Sequence, residues 1–193
     1  TALYGFEDCG KLQSGETVLV LGAAGGVGMA AIDIAKAMGA KVIAAASTEE
    51  KREAAKKAGA DFAIDYTKED VAERVKEITN GRKLPVVYDG VGKATFLSSL
   101  DSLAPLGLLV SFGNASGPVT DVNLGILAQK GSLYVTRPTM YHDAAKPPTA
   151  FQEMADDLFA VVKSGAVKIE VNQRYSLAEA ARAHLDLEGR KTT

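Results

Sequence analysis

A glycine-rich turn between a predicted strand and a predicted helix constrains this sequence more than any other feature. Residues 17–21 are continuously β-branched or apolar, which is typical of a strand buried on both faces. Residues 22–28 follow at once, and residues 27–38 are apolar almost all round, as in a buried helix that Gly39 then ends. Small residues at such a turn let the backbone approach a pyrophosphate, and the helix start supplies free N–H groups. The context therefore favours a dinucleotide-binding turn over a turn that only packs a helix on a sheet.

The turn departs from the G-x-G-x-x-G fingerprint at one position. Gly25 and Gly28 match the second and third glycines, whereas Ala23 stands where the first glycine would serve the tight turn. The glycine spacing also fits the short-chain dehydrogenases, but no tyrosine of this chain has a lysine four residues after it, as their catalytic pair requires. A P-loop is excluded because its Gly-Lys-Ser/Thr is missing. A methyltransferase is disfavoured because Leu21 stands where an acidic residue is expected.

Strand-like and helix-like segments alternate along the chain. Strands are predicted at residues 17–21, 41–46, 62–65, 86–88, 106–112 and 133–136, and helices at residues 27–38, 49–58, 68–79, 94–102, 124–129, 151–163 and 177–188. This alternation predicts an α/β fold, a Rossmann-type doubly wound parallel sheet of about six strands with helices on both faces.

No linker divides the sequence, so a single domain over residues 1–193 is expected. Within it, residues 1–14 are interpreted as a connecting helix, residues 139–193 as a C-terminal extension, and residues 143–148 as a loop. The chain starts at Thr1 rather than at a methionine and ends directly behind a helical pattern. It is therefore interpreted as an excised portion of a longer protein.

Charge and cysteine usage exclude several classes of function. The chain has 22 basic and 24 acidic residues and a net charge of −2, with no basic stripe that would favour nucleic acid. No apolar run is long enough to span a bilayer, so no membrane partner is expected. A single cysteine, Cys9, excludes an internal disulfide and fits a reducing compartment, which favours the cytoplasm. Cys9, His142 and His184 lack the spacing of metal ligands, so no metal site is predicted in this chain.

The end of the second predicted strand indicates which dinucleotide is bound. An NAD-specific domain places Asp or Glu there, on the ribose hydroxyls, but this strand ends in three alanines followed by Ser47 and Thr48. The spacing from Ser47 to Glu50 predicts a helix capping box, which leaves Lys51 one turn into the helix. A helix lysine alone is more often just solvated, but without a competing acid it favours the 2′-phosphate of NADP(H).

Several longer motifs together are more specific than the glycine turn. They lie at residues 23–28 (AAGGVG), 88–92 (YDGVG), 111–117 (SFGNASG) and 131–138 (GSLYVTRP), with a tail at residues 182–184 and 189–193. On these motifs the whole chain resembles the zinc-independent, zeta-crystallin-like quinone oxidoreductases of the medium-chain dehydrogenase/reductase superfamily. The resemblance implies NADPH-dependent, zinc-independent hydride transfer to quinones or related enones. It also implies a β-barrel-like N-terminal domain that holds much of the substrate pocket and is absent from this chain.

The resemblance further implies which residues contact the cofactor. The positions that match the pyrophosphate turn are Ala24, Gly25, Gly26 and Val27. Those that match the surroundings of the adenosine ribose and its 2′-phosphate are Ser47, Lys51, Tyr66 and Arg190. Those that match the middle and the nicotinamide side of the cofactor are Val91, Phe112 and Gly113. Two of these have an ordinary alternative, since Tyr66 could be an exposed tyrosine at a strand end and Phe112 a core residue. Thr1 would lie near the nicotinamide.

Hydride transfer requires little acid–base chemistry from the protein, because the cofactor supplies the hydride. No catalytic residue is therefore assigned in this chain. Two other hypotheses stay open: a dinucleotide-binding module without catalysis, which acts as a sensor or a structural protein, and an enoyl reductase built on the same scaffold.

The sixth predicted strand, from Leu133 to Arg137, is expected at an edge of the sheet. Its centre is apolar and β-branched, and only Arg137 and Pro138 protect it. An unprotected edge invites pairing with another strand, and a two-fold axis there would join two sheets into one. A homodimer through this strand is therefore expected, as the resemblance also implies.

Overall fold

A sheet of six parallel strands forms the centre of the structure, a computed structural model that describes residues 1–139, 148–169, 171–189 and 191–192. The strands are β1 (Thr17–Leu21), β2 (Lys41–Ala46), β3 (Phe62–Asp65), β4 (Leu84–Asp89), β5 (Leu103–Ser111) and β6 (Tyr134–Thr136). They are ordered β3-β2-β1-β4-β5-β6, and every neighbouring pair is parallel. This order is that of a Rossmann-type doubly wound sheet, so the predicted fold class is confirmed.

Helices connect the strands and cover the sheet on both sides. They are α1 (Ala2–Tyr4), which continues as a π-helical segment (Gly5–Cys9), α2 (Gly26–Ala37), α3 (Glu49–Lys57), α4 (Val71–Ile78), α5 (Phe96–Asp101), α6 (Gly125–Gln129), α7 (Pro148–Lys163), and α8 (Ala180–Glu188), which follows a 3-10 turn (Leu177–Glu179).

Each strand shares its side chains between two cores, because successive residues of a strand point to opposite faces. In β1, Val18 and Val20 belong to one buried cluster and Leu19 and Leu21 to the other. Helix α2 contributes Ile32 and its neighbours to the first cluster. Residues at the start of the chain also belong to this cluster, and partly buried residues of α7 pack against it. Helices α4 and α5 contribute to the second cluster. A strand buried on both faces needs apolar residues throughout, which is why β1 has no alternation.

The helix and strand boundaries differ from the predicted ones where turns or caps compete with the helix. The connecting helix predicted over residues 1–14 ends at Cys9. Helix α4 starts at Val71 rather than at Lys68, because the N–H groups of Lys68 and Glu69 bind the Asp65 carbonyl in a turn. The Asp70 side chain then accepts from the Glu73 N–H and caps the helix.

The sheet order fixes where a ligand can bind. Strands β1 and β4 are neighbours, but β1 leads into α2 on one face and β4 leads into α5 on the other. The two connections therefore separate at the carboxyl ends of these strands and leave a crevice between them, where doubly wound sheets bind their ligands.

Some predictions fall on residues that the structure does not describe. Arg190, His142 and residues 143–147 of the predicted loop lie outside the described residues, whereas Pro148 begins α7. Within the part of the chain that is described, none of the helices is both long and apolar enough to cross a membrane.

Candidate functional site

The start of α2 packs directly against the turn that follows β1. Gly22 has a φ of +70°, which L side chains rarely adopt, and its carbonyl accepts from the Gly25 N–H at 3.0 Å. A β-carbon at Gly28 would lie 2.4 Å from the Gly22 carbonyl oxygen and 2.7 Å from the backbone of Ala23. Gly28 therefore lets α2 start against the turn, which is the role of the third glycine of the fingerprint.

The start of α2 presents free backbone donors. Gly25 is the N-cap and has no side-chain cap bond. The first intrahelical hydrogen bond of α2 is donated by the Met29 N–H to the Gly25 carbonyl at 2.8 Å. The N–H groups of the first helical turn have no carbonyl partner within a helix and carry its positive dipole end. Gly25, Gly26 and Val27 are exposed, and a β-carbon at Gly26 would meet nothing within 4 Å. The turn thus has donors and space for an anion.

A different part of the site lies where β2 and β3 end. Ala46 and Asp65 are register partners, so Ser47 and Tyr66 follow directly at the same edge of the sheet. The predicted capping box from Ser47 to Glu50 is wrong. Helix α3 begins at Glu49, as predicted, but its N-cap is Thr48 rather than Ser47, and the Thr48 hydroxyl oxygen accepts from the Lys51 N–H at 3.3 Å. Lys51 still lies in the first turn of α3, where the prediction placed it.

The carboxylate of Asp65 orders the segment that carries Tyr66. Asp65 accepts from the Thr67 hydroxyl at 2.6 Å and from the Thr67 N–H at 3.0 Å. A guanidinium nitrogen of Arg52 lies 2.8 Å from its other oxygen, which ties α3 to the end of β3. The bonds from Thr67 and the nearby Arg52 hold the pKa of Asp65 below its usual value, although partial burial opposes them. Asp65 is therefore an anion at neutral pH whose partners lie within the protein.

A second buried carboxylate, Asp89, orders the loop after β4. It is 1% exposed and accepts from the N–H groups of Val91 and Gly92 at 2.8 and 3.1 Å. The hydroxyls of Thr95 and Ser99 also donate to it, at 2.8 and 2.9 Å. This loop faces the turn after β1, because the Val91 side chain would lie 3.6 Å from a β-carbon at Gly22. Asp89 thus fixes Val91 at the crevice.

The loops after β4 and β5 are packed together as one unit. A β-carbon at Gly113 would lie 2.1 Å from the Gly90 carbonyl oxygen, so the two backbones touch. The Phe112 N–H donates to the Asp89 carbonyl, and the Ser116 N–H donates to the Val91 carbonyl. The position of the Phe112–Gly113 turn therefore depends on the loop that Asp89 holds.

The ring of Phe112 packs against the core, which was the alternative considered for it in the sequence. Its ring stacks on Tyr88 with a centroid distance of 4.4 Å, and Tyr88 packs on Phe6 at 4.7 Å. Tyr88 is buried, burial raises its pKa, and its hydroxyl donates to the Thr1 carbonyl at 2.8 Å. The ring of Phe112 is thus part of the packing behind the crevice, while its backbone lies in the turn.

The structure brings most of the predicted site residues to one edge of the sheet. They form three groups at the carboxyl ends of the strands: Ala24, Gly25, Gly26 and Val27 after β1, Ser47, Lys51 and Tyr66 after β2 and β3, and Val91, Phe112 and Gly113 after β4 and β5. Arg190 lies outside the described residues.

Three residues that organise this edge are not among the predicted site residues: Asp65, Asp89 and Arg137. The two aspartates had a recognisable signal, since each ends an apolar strand, where a buried acid needs donors from the following loop. The sequence predicts edge protection for Arg137, but its guanidinium donates to the carbonyls of Ser111 and Gly113.

The described residues contain no group of three or more His, Cys, Asp or Glu side chains that could hold a metal ion. The sheet order and the crevice between β1 and β4 are those of a Rossmann-type domain. Domains of this class bind dinucleotides where the connections after two neighbouring strands leave on opposite faces of the sheet.

Comparison with known proteins gives the family. Residues 26–160 match the model of the zinc-binding dehydrogenase family, and the chain belongs to that family. A quinone oxidoreductase of Pseudomonas aeruginosa is 56% identical over 193 residues, which are 100% of this chain and 59% of that protein. The resemblance to quinone oxidoreductases is thereby confirmed, and this chain spans about three-fifths of the length of such relatives.

Solved structures agree with this assignment. The quinone oxidoreductase of Pseudomonas syringae pv. tomato DC3000 superposes with a TM-score of 0.95 at 53% identity, covering 100% of this chain and 59% of that one. The quinone oxidoreductase of Escherichia coli, solved in complex with NADPH, gives a TM-score of 0.94 at 47% identity with the same coverage.

The glycine turn yields a prediction about stability. Gly28→Ala should destabilise the protein by about 1–3 kcal/mol, because the new methyl group collides with backbone that cannot move cheaply. Gly26→Ala should leave stability unchanged or raise it by up to about 1 kcal/mol, because alanine favours the helix and its methyl group enters open space. Urea unfolding of the two variants measures the difference. Equal unfolding midpoints for the two would contradict the contact at Gly28.

Proposed function

We propose that this chain is the cofactor-binding part of an NADPH-dependent quinone oxidoreductase, which transfers a hydride from NADPH to quinones or related enones. The observation that carries the proposal is the open glycine turn at the start of α2, in the crevice between β1 and β4. The relatives named quinone oxidoreductase, and the one solved with NADPH, support the same reading. When bound, the dinucleotide supplies the hydride, and the protein orients it.

The pyrophosphate fits the turn formed by Ala24, Gly25, Gly26 and Val27. The exposed glycines leave room for an anion, and the backbone N–H groups of the first turn of α2 point toward it. A negatively charged group there also meets the positive end of the helix dipole. Side chains contribute little at this position, which suits a turn of small residues.

The adenosine end of the cofactor fits the ends of β2 and β3. Pyrophosphate at α2 directs the adenosine ribose toward the end of β2, as in other Rossmann-type domains. Ser47 and Tyr66 lie side by side at this edge, and Lys51 lies in the first turn of α3. Asp65, a buried acid nearby, is engaged by Thr67 and Arg52 and so does not compete for the phosphate. These residues, with Arg190, would hold the 2′-phosphate of NADPH.

The nicotinamide half then extends to the other side of β1. Val91 and the Phe112–Gly113 turn lie there, on the loops that follow β4 and β5. Asp89 holds the first of these loops and the backbone contact at Gly90 aligns the second. We propose that these residues support the middle and the nicotinamide side of the cofactor.

The substrate pocket is assigned to a part of the whole protein beyond this domain. The relatives are longer than this chain, which covers 59% of the Pseudomonas aeruginosa protein. A β-barrel-like domain would hold the quinone or enone against the nicotinamide, and no catalytic residue is assigned among these 193 residues. The proposal that the reaction needs no zinc rests on the resemblance to the zeta-crystallin-like group. We propose a cytoplasmic location, which the single cysteine, Cys9, supports.

A panel of simple quinones and enones, tested with the whole protein and NADPH, decides the activity. We expect NADPH oxidation with quinones, whereas the 193-residue chain alone should bind NADPH without turnover. Reduction of enones only would favour the enoyl reductase. Tight NADPH binding by the whole protein without reduction of any acceptor would instead favour the sensor module. Steady quinone reduction by the 193-residue chain would contradict the proposal that the substrate pocket lies beyond this domain.

Replacing Lys51 tests the assignment of the 2′-phosphate. Lys51→Ala should weaken NADPH binding by about 1–3 kcal/mol, the usual loss for a charge-assisted bond, and leave NADH binding almost unchanged. Lys57→Ala, at the exposed far end of the same helix, is the matched control and should change neither affinity. Fluorescence titration with both cofactors gives the comparison. Equal losses for NADPH and NADH in Lys51→Ala would refute the assignment.

We also propose that the protein forms a homodimer through β6. This strand is last in the sheet order, and Tyr134 and Val135 are 59% and 40% exposed. Arg137 donates into the loops after β5, so its charge does not guard the strand edge. A second copy related by a two-fold axis could continue the sheet across this edge.

Two variants at Val135 test the dimer. Val135→Pro removes a backbone donor, and Val135→Lys keeps the backbone but brings two like charges together across the axis. Both should sediment as monomers at micromolar concentration, whereas the unmodified protein should sediment as a dimer. A monomeric unmodified protein, or a Val135→Lys variant that remains a dimer, would count against this interface.

A further inference from the structure

Arg137 connects the end of β6 to the turn after β5. Its Nη1 donates to the carbonyl oxygens of Ser111 and Gly113, at 2.9 and 3.1 Å. With the amide oxygen of Asn114 facing the guanidinium, that oxygen accepts from Nη2 at 3.2 Å, and the Asn114 amide nitrogen donates to the Gly113 carbonyl at 2.9 Å. One cation thus gathers three acceptors around the Phe112–Gly113 turn.

We propose that Arg137 is a positioning residue for the nicotinamide half of the cofactor. The inference rests on the proposed function, in which the Phe112–Gly113 turn supports that half. Arg137 itself would not contact the cofactor. It would act through the turn, by fixing the direction of the two peptide groups whose carbonyls it holds.

The geometry explains why the turn needs this support. Carbonyl and N–H of a trans peptide point in opposite directions, so holding the Gly113 carbonyl on Arg137 directs the Asn114 N–H away from it. The Phe112 N–H is held in the same way, since it donates to the Asp89 carbonyl while the Ser111 carbonyl accepts from Arg137. Two contacts on opposite sides therefore define the orientation of the turn.

The backbone contact with Gly90 makes the turn sensitive to small shifts. Gly113 lies so close that a β-carbon would overlap the Gly90 carbonyl oxygen, and a β-carbon at Gly92 would lie 3.0 Å from the Gly113 carbonyl oxygen. Without the guanidinium, that carbonyl loses its charged donor, and one of the two contacts that define the orientation of the turn is lost. The effect should stay local, because β4 and β5 separate β6 from β1 and from the adenosine end of the site.

The test compares NADPH with 2′,5′-ADP, which carries the adenosine and both of its phosphates but lacks the nicotinamide half. Arg137→Ala should weaken NADPH binding about tenfold, the equivalent of one charge-assisted hydrogen bond, and leave 2′,5′-ADP binding unchanged. Arg137→Lys keeps the charge but not the planar fork, so its NADPH affinity should lie between those of the unmodified protein and Arg137→Ala. Calorimetric titration of the whole protein measures both ligands.

Two control variants give the outcomes expected when both ligands are weakened and when neither is. Lys51→Ala should weaken both ligands, because both carry the 2′-phosphate. Arg82→Ala removes an exposed arginine that donates to the Thr79 carbonyl just before β4, at the opposite edge of the sheet, and should weaken neither.

The proposal is overturned if Arg137→Ala leaves NADPH binding unchanged, or if it weakens NADPH and 2′,5′-ADP equally. If Arg137→Ala does not fold, by its thermal unfolding profile, the same two criteria apply to Arg137→Lys. An unmodified protein that binds neither ligand would overturn the proposed function as well. If Arg137→Ala fails either criterion while Lys51→Ala weakens both ligands, this inference is overturned and the cofactor assignment stands.

Discussion

Helix α2 can begin where it does only because Gly28 has no side chain. Its backbone touches the Gly22–Ala23 peptide, so the helix start, with its free N–H groups, is aimed at the carboxyl end of β1. A side chain at Gly28 would push the helix outward and move those donors away from the crevice. The remainder of the site is arranged around this contact, since it fixes where an anion can lie and, through it, which strand ends the two halves of a dinucleotide would reach.

On both sides of that turn, a buried carboxylate organises a loop. Asp65 holds the segment with Tyr66, and Asp89 holds the segment with Val91. Each accepts several hydrogen bonds from its own loop, and this offsets the cost of removing a charge from water. An acid placed this way acts on the protein rather than on a ligand. It makes the loop rigid without presenting negative charge to the phosphates, which explains how a site for an anionic cofactor can contain two acids.

The sequence was sufficient for the fold because its strongest signals are local. Buried strands of apolar residues and glycines at the ends of helices determine the order of elements, and right-handed crossovers determine most of the topology. The capping box from Ser47 was wrong, because Ser47 and Thr48 are both good caps and only the backbone at the end of β2 decides between them. The role of Arg137 could not be read from the sequence, because its partners lie 24 and 26 residues away and are backbone carbonyls, which leave no pattern in side chains.

The two halves of the candidate site therefore differ in physical character. In the proposed binding mode, the adenosine side depends on side chains such as Lys51, in the first turn of α3, and Tyr66, directly after β3. The proposed nicotinamide side depends instead on peptide groups whose direction is set by contacts between loops, from Asp89 at one end to Arg137 at the other. Substitutions on the first side should change which cofactor binds, whereas substitutions on the second should change how it is oriented. Because Arg137 follows β6 directly, its two hydrogen bonds to the Ser111 and Gly113 carbonyls link the exposed edge strand to the turn after β5.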